Sequence, residues 1–138
     1  MSFKLVTPRD TIDARNVPKT TALVTTAGIL YQNNLTTGAL EAAAAATDAN
    51  QVLWLANESV SAADARDVVH ATQVARLTDL YLVDTTNNSN SAHNGQRMVL
   101  NSTGSGLNNT GTDAAAGVFV QILPYGAAAD KKILARHV

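Results

Sequence analysis

Gly117-Val118-Phe119-Val120-Gln121-Ile122-Leu123, stopped by Pro124 and answered by Lys132-Ile133-Leu134-Ala135-Arg136-His137-Val138, decides the fold class of this chain. Both runs are short, rich in β-branched and large apolar residues, and bounded by turn-forming residues. That combination reads as strand rather than helix. The second run uses the last residue of the sequence, so the C-terminal segment is expected to be part of the fold. Upstream, Gln96-Arg97-Met98-Val99-Leu100 alternates and predicts another strand, entered from the loop His93-Asn94-Gly95.

Working toward the N-terminus gives more of the same. Thr20–Thr25, Ile29-Leu30-Tyr31, Gln51–Ala56, Asp67–Leu77 and Leu80–Val83 all read as strands. Turn signals separate them at Ala27-Gly28, Asn33-Asn34, Thr37-Gly38 and Thr78-Asp79. Eight or nine short strands at this spacing predict a mainly β domain: a small β-barrel, β-tulip or jelly-roll-like sandwich, with at most one short helix. Ala39–Ala46 has the highest helix propensity, but about eight residues make a marginal helix, and a strand of small side chains is favoured. Ser61–Arg66 is expected to form a helical turn capped by Ser61, with Asp64 at the capping-box position. The stretches 84–95 and 101–116 are long and polar and are expected to be contact surface or solvated loops.

Residues 1–19 differ from the rest and are expected to form an extended N-terminal arm, with residues 20–138 as the β domain. The arm holds Pro8 and Pro18, two of the three prolines, and the charges Lys4, Arg9, Asp10, Asp13, Arg15 and Lys19. Proline fixes φ and removes a donor, which favours extended structure. Such an arm could order by laying Phe3, Leu5 and Val6 along a partner's sheet edge.

Composition narrows the chemistry. At 138 residues the chain makes one domain. Charged residues are 15%, well under the usual quarter or so, which suits a surface partly covered by neighbouring subunits. A net charge of −1 supplies no field for nucleic acid or anionic lipid. Cysteine is absent, so disulfides, thiolate nucleophiles and Cys-based metal sites are excluded. Met1–Leu5 has no apolar signal-peptide core and no run approaches a membrane span, predicting synthesis in the cytoplasm and no membrane partner.

Motifs for catalysis are missing. The histidines His70, His93 and His137 fall in separate segments, and His70 reads as a strand residue. His93 with Asp84 and Asp113 is the nearest approach to a metal or hydrolytic set, without recognised ligand spacing. With Glu41 and Glu58 the only glutamates, paired-carboxylate chemistry has few candidates. No nucleophile elbow, phosphate loop or dinucleotide fingerprint occurs. Trp54 and Phe119 lie in apolar runs and read as core. The expectation is a binding protein with no cofactor, no metal and no enzymatic activity.

The chain resembles the head decoration (cement) proteins of tailed bacteriophages. The resemblance runs over most of residues 20–138. It is carried by Thr26-Ala27-Gly28, by Leu53-Trp54-Leu55-Ala56 with Val60-Ser61-Ala62-Ala63-Asp64, by Gly95-Gln96-Arg97, by Leu107–Asp113, by Gly117–Val120 and by the closing basic-apolar strand. The Ala42–Ala46 run and the Asn-rich loop before Gly95 depart from it. The resemblance implies a virion protein on the outer face of an icosahedral capsid, a homotrimer or homodimer that braces capsomers against packaged DNA. Its partner would be the major capsid protein. By analogy, the arm would supply the capsid contacts through Phe3, Lys4, Leu5, Val6, Arg9, Arg15 and Val17. The alternative is a fibre, baseplate or adhesin-like β domain that binds a cell-surface glycan.

Overall fold

The computed structural model describes residues 1–7, 13–48, 50–110 and 116–138. It is mainly β, as expected: two curled antiparallel sheets form a small barrel-like domain. The strands are β1 (Phe3–Leu5), β2 (Ala14–Pro18), β3 (Leu30–Asn33), β4 (Leu40–Ala42), β5 (Leu53–Ala56), β6 (Val68–Gln73), β7 (Leu80–Asp84), β8 (Arg97–Leu100), β9 (Leu107–Asn108), β10 (Phe119–Pro124) and β11 (Lys132–His137). The six-stranded sheet has the order β1-β7-β11-β10-β8-β9 and the five-stranded sheet β2-β6-β5-β3-β4. Helical structure among the described residues is limited to short 3-10 turns such as Ala62–Asp64 and Ser91–His93.

The five-stranded sheet curls until its end strands meet at a parallel bridge, and in the six-stranded sheet the end strand β9 curls round to a parallel bridge with the chain just past the second strand, β7. Lys19, just past β2, bridges Leu40 of β4; Thr85, just past β7, bridges Leu107 of β9. Two close backbone approaches need glycine. A Cβ on Gly106 would stand 2.5 Å from the Asp84 carbonyl oxygen, beside the second bridge. One on Gly104 would meet the carbonyl oxygens of Ala43 and Leu30 at 2.7 and 2.8 Å, and Gly104 also needs φ +70°.

Strand alternation sorts the apolar residues into two cores. Leu53 and Leu55 of β5 point into the first with Phe3, Tyr81, Met98, Phe119 and Ile133. Phe3, Tyr81 and Phe119 pack there with ring centroids 5.2–6.3 Å apart. Trp54 and Ala56, on the opposite face of β5, join Val17, Tyr31, Leu40, Val60 and Val69 in a second core, with Leu23 and Ile29 packed against it. β5, in the middle of the five-stranded sheet, is therefore buried on both faces.

Several expectations are corrected. Residues 1–19 are not a separate arm over their described length, because β1 pairs with β7 in one sheet and β2 with β6 in the other. Burying Phe3 and Val17 in the chain's own cores removes far more apolar surface from water than a free arm could. Thr20–Thr25 is turn and irregular chain with a single bridge, Thr25 to Val60; it serves as cover over the second core. Only Leu40–Ala42 of the alanine-rich run is strand, and turns follow. Ser61 makes no side-chain cap; Asp64 instead takes Arg66 at 2.9 Å.

The tract after Asn101 is ordered through Thr110, with Ser105, Leu107 and Asn109 buried. Asn109 donates to the carbonyls of Asn87 and Asn88 and accepts from the Asn87 amide and the Thr86 hydroxyl. Thus the two polar stretches lock onto each other rather than standing apart in solvent. Asparagine does this because one short side chain offers both a donor and an acceptor at backbone reach.

Candidate binding surfaces

The seven residues expected to make capsid contacts are dispersed by the fold. Phe3 and Val17 are core residues, each 3% exposed, so neither is available to a partner. Leu5 is half-buried against the first core. Val6 is exposed beside the start of β7, where its amide donates to the Leu80 carbonyl. Lys4 is exposed and stands opposite Leu82 on the outer side of the six-stranded sheet. Arg9 lies outside the described residues. Arg15 is exposed on β2, forked onto Asp13 at 2.7–2.9 Å and set over the Trp54 ring at 5.8 Å from its centroid.

What the N-terminal segment does offer is an edge. The Gln73 amide donates to Asp13 and the Lys19 amide to Asp67, which fixes the register of β2 on β6. Residues 13, 15, 17 and 19 then direct their backbone groups to β6, while those of Ala14, Asn16 and Pro18 point outward. Ala14, Arg15, Asn16 and Pro18 are all exposed. Pro18 supplies no N–H and Arg15 carries charge, two devices that limit indiscriminate strand pairing.

The charged groups serve structure. Lys19 is 3% exposed and its Nζ donates to the carbonyls of Arg66 and Thr20. Asp84 accepts from Lys132 Nζ at 2.6 Å and from the Ser2 amide at 2.8 Å, so it is committed there rather than to His93. Burial would push the Asp84 carboxyl up; the Lys132 bond, the Ser2 amide and the Lys132 charge outweigh that and hold it below its usual range. Glu41 is lowered by amide donors from Gln32 and Asn34, and Glu58 chiefly by the His70 backbone N–H.

The histidines stay apart. His70 is exposed on β6, beside the Asn57 side chain. His93 ends the turn Ser91–His93, and Asp113 lies outside the described residues. His137 is fully buried against Phe119, with Nδ1 2.6 Å from the Val138 oxygen. Burial pushes its pKa below the ordinary histidine value and the nearby Arg76 adds to this, against the Val138 bond. Among the described residues, no three His, Asp or Glu side chains gather as a metal-binding group.

A cleft of about 440 Å³ opens between residues 50–53 and 73–76, with Leu53 and Val74 in its floor and Asp13 and Arg76 at its rim. Asp13 and Arg76 are of opposite charge, and the buried His137 ring presents it with no accessible polar atom. Of the aromatic side chains, five are buried and only Tyr125, 51% exposed, faces solvent. Among the described residues no helix is long and apolar enough to cross a membrane.

No family model matches this chain, and no curated protein or solved structure matches it either.

Proposed function

We propose that this protein is a structural virion component that binds the outer surface of an icosahedral phage capsid as a homo-oligomer and cements neighbouring capsomers, without catalysis. The sequence resemblance to head decoration proteins motivates the reading. The observation that carries it is the open edge of β2, where Ala14 and Asn16 hold outward N–H and C=O groups at the surface of an otherwise closed sheet. A strand of the major capsid protein can add there, its affinity coming from main-chain hydrogen bonds. Oligomerisation multiplies a modest edge contact into avid attachment. A glycan-binding domain would call for a cluster of exposed aromatic side chains, and Tyr125 stands alone.

The test is co-sedimentation with expanded, undecorated capsids of the cognate major capsid protein. Asn16→Pro deletes one outward N–H and leaves the β6 ladder intact. The variant is expected to bind about fivefold more weakly per site, the worth of one net hydrogen bond of about 1 kcal/mol. Wild-type protein that stays in the supernatant at micromolar concentration would overturn the reading.

A further inference from the structure

The outer face of the six-stranded sheet carries apolar residues that belong to neither core: Leu123 is exposed, and Leu80, Leu82, Leu134 and Val120 are partly buried. Register sets its composition. Lys4 stands opposite Leu82, Leu82 opposite Leu134, and Leu134 opposite Leu123, a row across β1, β7, β11 and β10. Four strands at the usual spacing of about 4.8 Å make this row about 14 Å long. A second row runs from Leu80 through Arg136 to Val120. The partners of these residues along each strand, Tyr81, Val83, Ile133, Ala135 and Phe119, fill the first core, so the named rows point outward.

Leu123 reaches this face only because β10 carries a bulge. The pairing with β11 slips between Gln121 and Leu123, and the slip turns Leu123 from the core side to the outer side, where it is 43% exposed. An open antiparallel face ordinarily alternates polar residues outward; here Leu80, Leu82, Leu123, Leu134 and Val120 replace them. None of the five belongs to either core.

The face is net positive. Lys4 and Arg136 project from it, the exposed Arg97 continues the second row beyond Val120, and the acidic Asp84 is paired with Lys132. A second copy seated face to face would bring like charges together. A nucleic acid would need stacking platforms, and neither row contains an aromatic residue. The complementary occupant is a protein surface that is apolar at its centre and carries carboxylates at its margin.

We infer that this face is the seat of the protein on the capsid shell, docking against an acidic-rimmed apolar patch of the major capsid protein. The inference rests on the cementing function and adds the surface and its chemistry to the β2 edge. Two double variants test it in the capsid sedimentation assay. Leu82→Thr with Leu134→Thr keeps β propensity and removes the apolar row; Lys4→Glu with Arg136→Glu reverses the charge. Each is expected to weaken binding at least tenfold while the thermal midpoint of the isolated protein stays within a few degrees of wild type. Wild-type binding is expected to weaken as salt is raised from 50 to 500 mM. Face variants that sediment as wild type does, while Asn16→Pro still weakens binding, would overturn this inference and leave the cementing function standing. A wild-type chain that fails to sediment with capsids overturns both, and a chain that floats instead with anionic phosphatidylserine vesicles assigns the face to a lipid surface.

Discussion

The two sheets share a core but treat their other faces in opposite ways. Behind the five-stranded sheet, Leu23, Ile29 and Val60 close over Trp54, Val17 and Val69, and the strand face becomes interior. Behind the six-stranded sheet Leu82 and Leu134 stay outside both cores and only partly buried, although they are as apolar as the residues buried on the first. A chain that closes one side with its own residues and leaves the equivalent side only partly buried retains apolar surface there. Contiguous apolar patches on soluble domains mark interaction sites more often than accidents.

That contrast can be broken by stability measurements. Trp54→Ala, on the covered face, is expected to cost about 3–5 kcal/mol in denaturant unfolding, the range for a large aromatic removed from a closed core. A cost under about 1 kcal/mol would mean that the cover over Trp54 is loose. Leu134→Ala, on the outer face of the other sheet, is expected to cost about 1–2 kcal/mol in the isolated protein, because its side chain is only partly buried and lies outside both cores. If the two substitutions cost the same, the outer face is as fully covered in solution as the second core.

The close approach at Gly104 sits between these extremes. Gly104→Ala forces a Cβ against two carbonyl oxygens and keeps a left-handed φ, and is expected to cost about 2–4 kcal/mol, read from the urea midpoint. Gly38, also at positive φ but with open space around it, should cost only about 1 kcal/mol on the same substitution. A Gly104→Ala effect no larger than Gly38→Ala would remove the argument that Gly104 is held between two backbone carbonyls.

The smallest effect expected is one of pH. His137 has a lowered pKa in the fold, so the unfolded chain takes up the proton first as pH falls. Its contribution to stability is therefore complete above the unfolded value near 6.5 and declines below it. Asp84, Glu41 and Glu58 are also lowered, and their contributions are lost at more acidic pH, below the ordinary carboxylate range. The thermal midpoint should fall modestly from pH 7.5 to 5.5 and more steeply below pH 4. A midpoint that rises between pH 7.5 and 5.5 would contradict the buried, neutral His137.

Much of this architecture was legible in the sequence. The late runs around Phe119 and Ile133 are strands, as their β-branched content and flanking turns imply, and Trp54 is core as its apolar run implies. Three things were not legible. Pairing partners are non-local, so the charged, proline-bearing N-terminus read as an arm although Phe3 and Val17 complete two sheets. The asparagine-rich stretches read as contact surface or solvated loops because polarity alone does not reveal that Asn109 would bind the backbone of Asn87 and Asn88. Most telling is Leu123. Strict alternation from Phe119 through Gln121 places it inside, and only the bulge, invisible to a period-two pattern, carries it to the outer face.

Hydroxyl-radical footprinting of the protein free and bound to expanded capsids tests the central claim most directly, since leucine side chains report their own solvent access. Protection of Leu82, Leu123 and Leu134 on binding, with the cover residues Leu23 and Ile29 unchanged, is the predicted result. Equal oxidation of the three leucines in the free and bound states, with protection elsewhere on the domain, would contradict it.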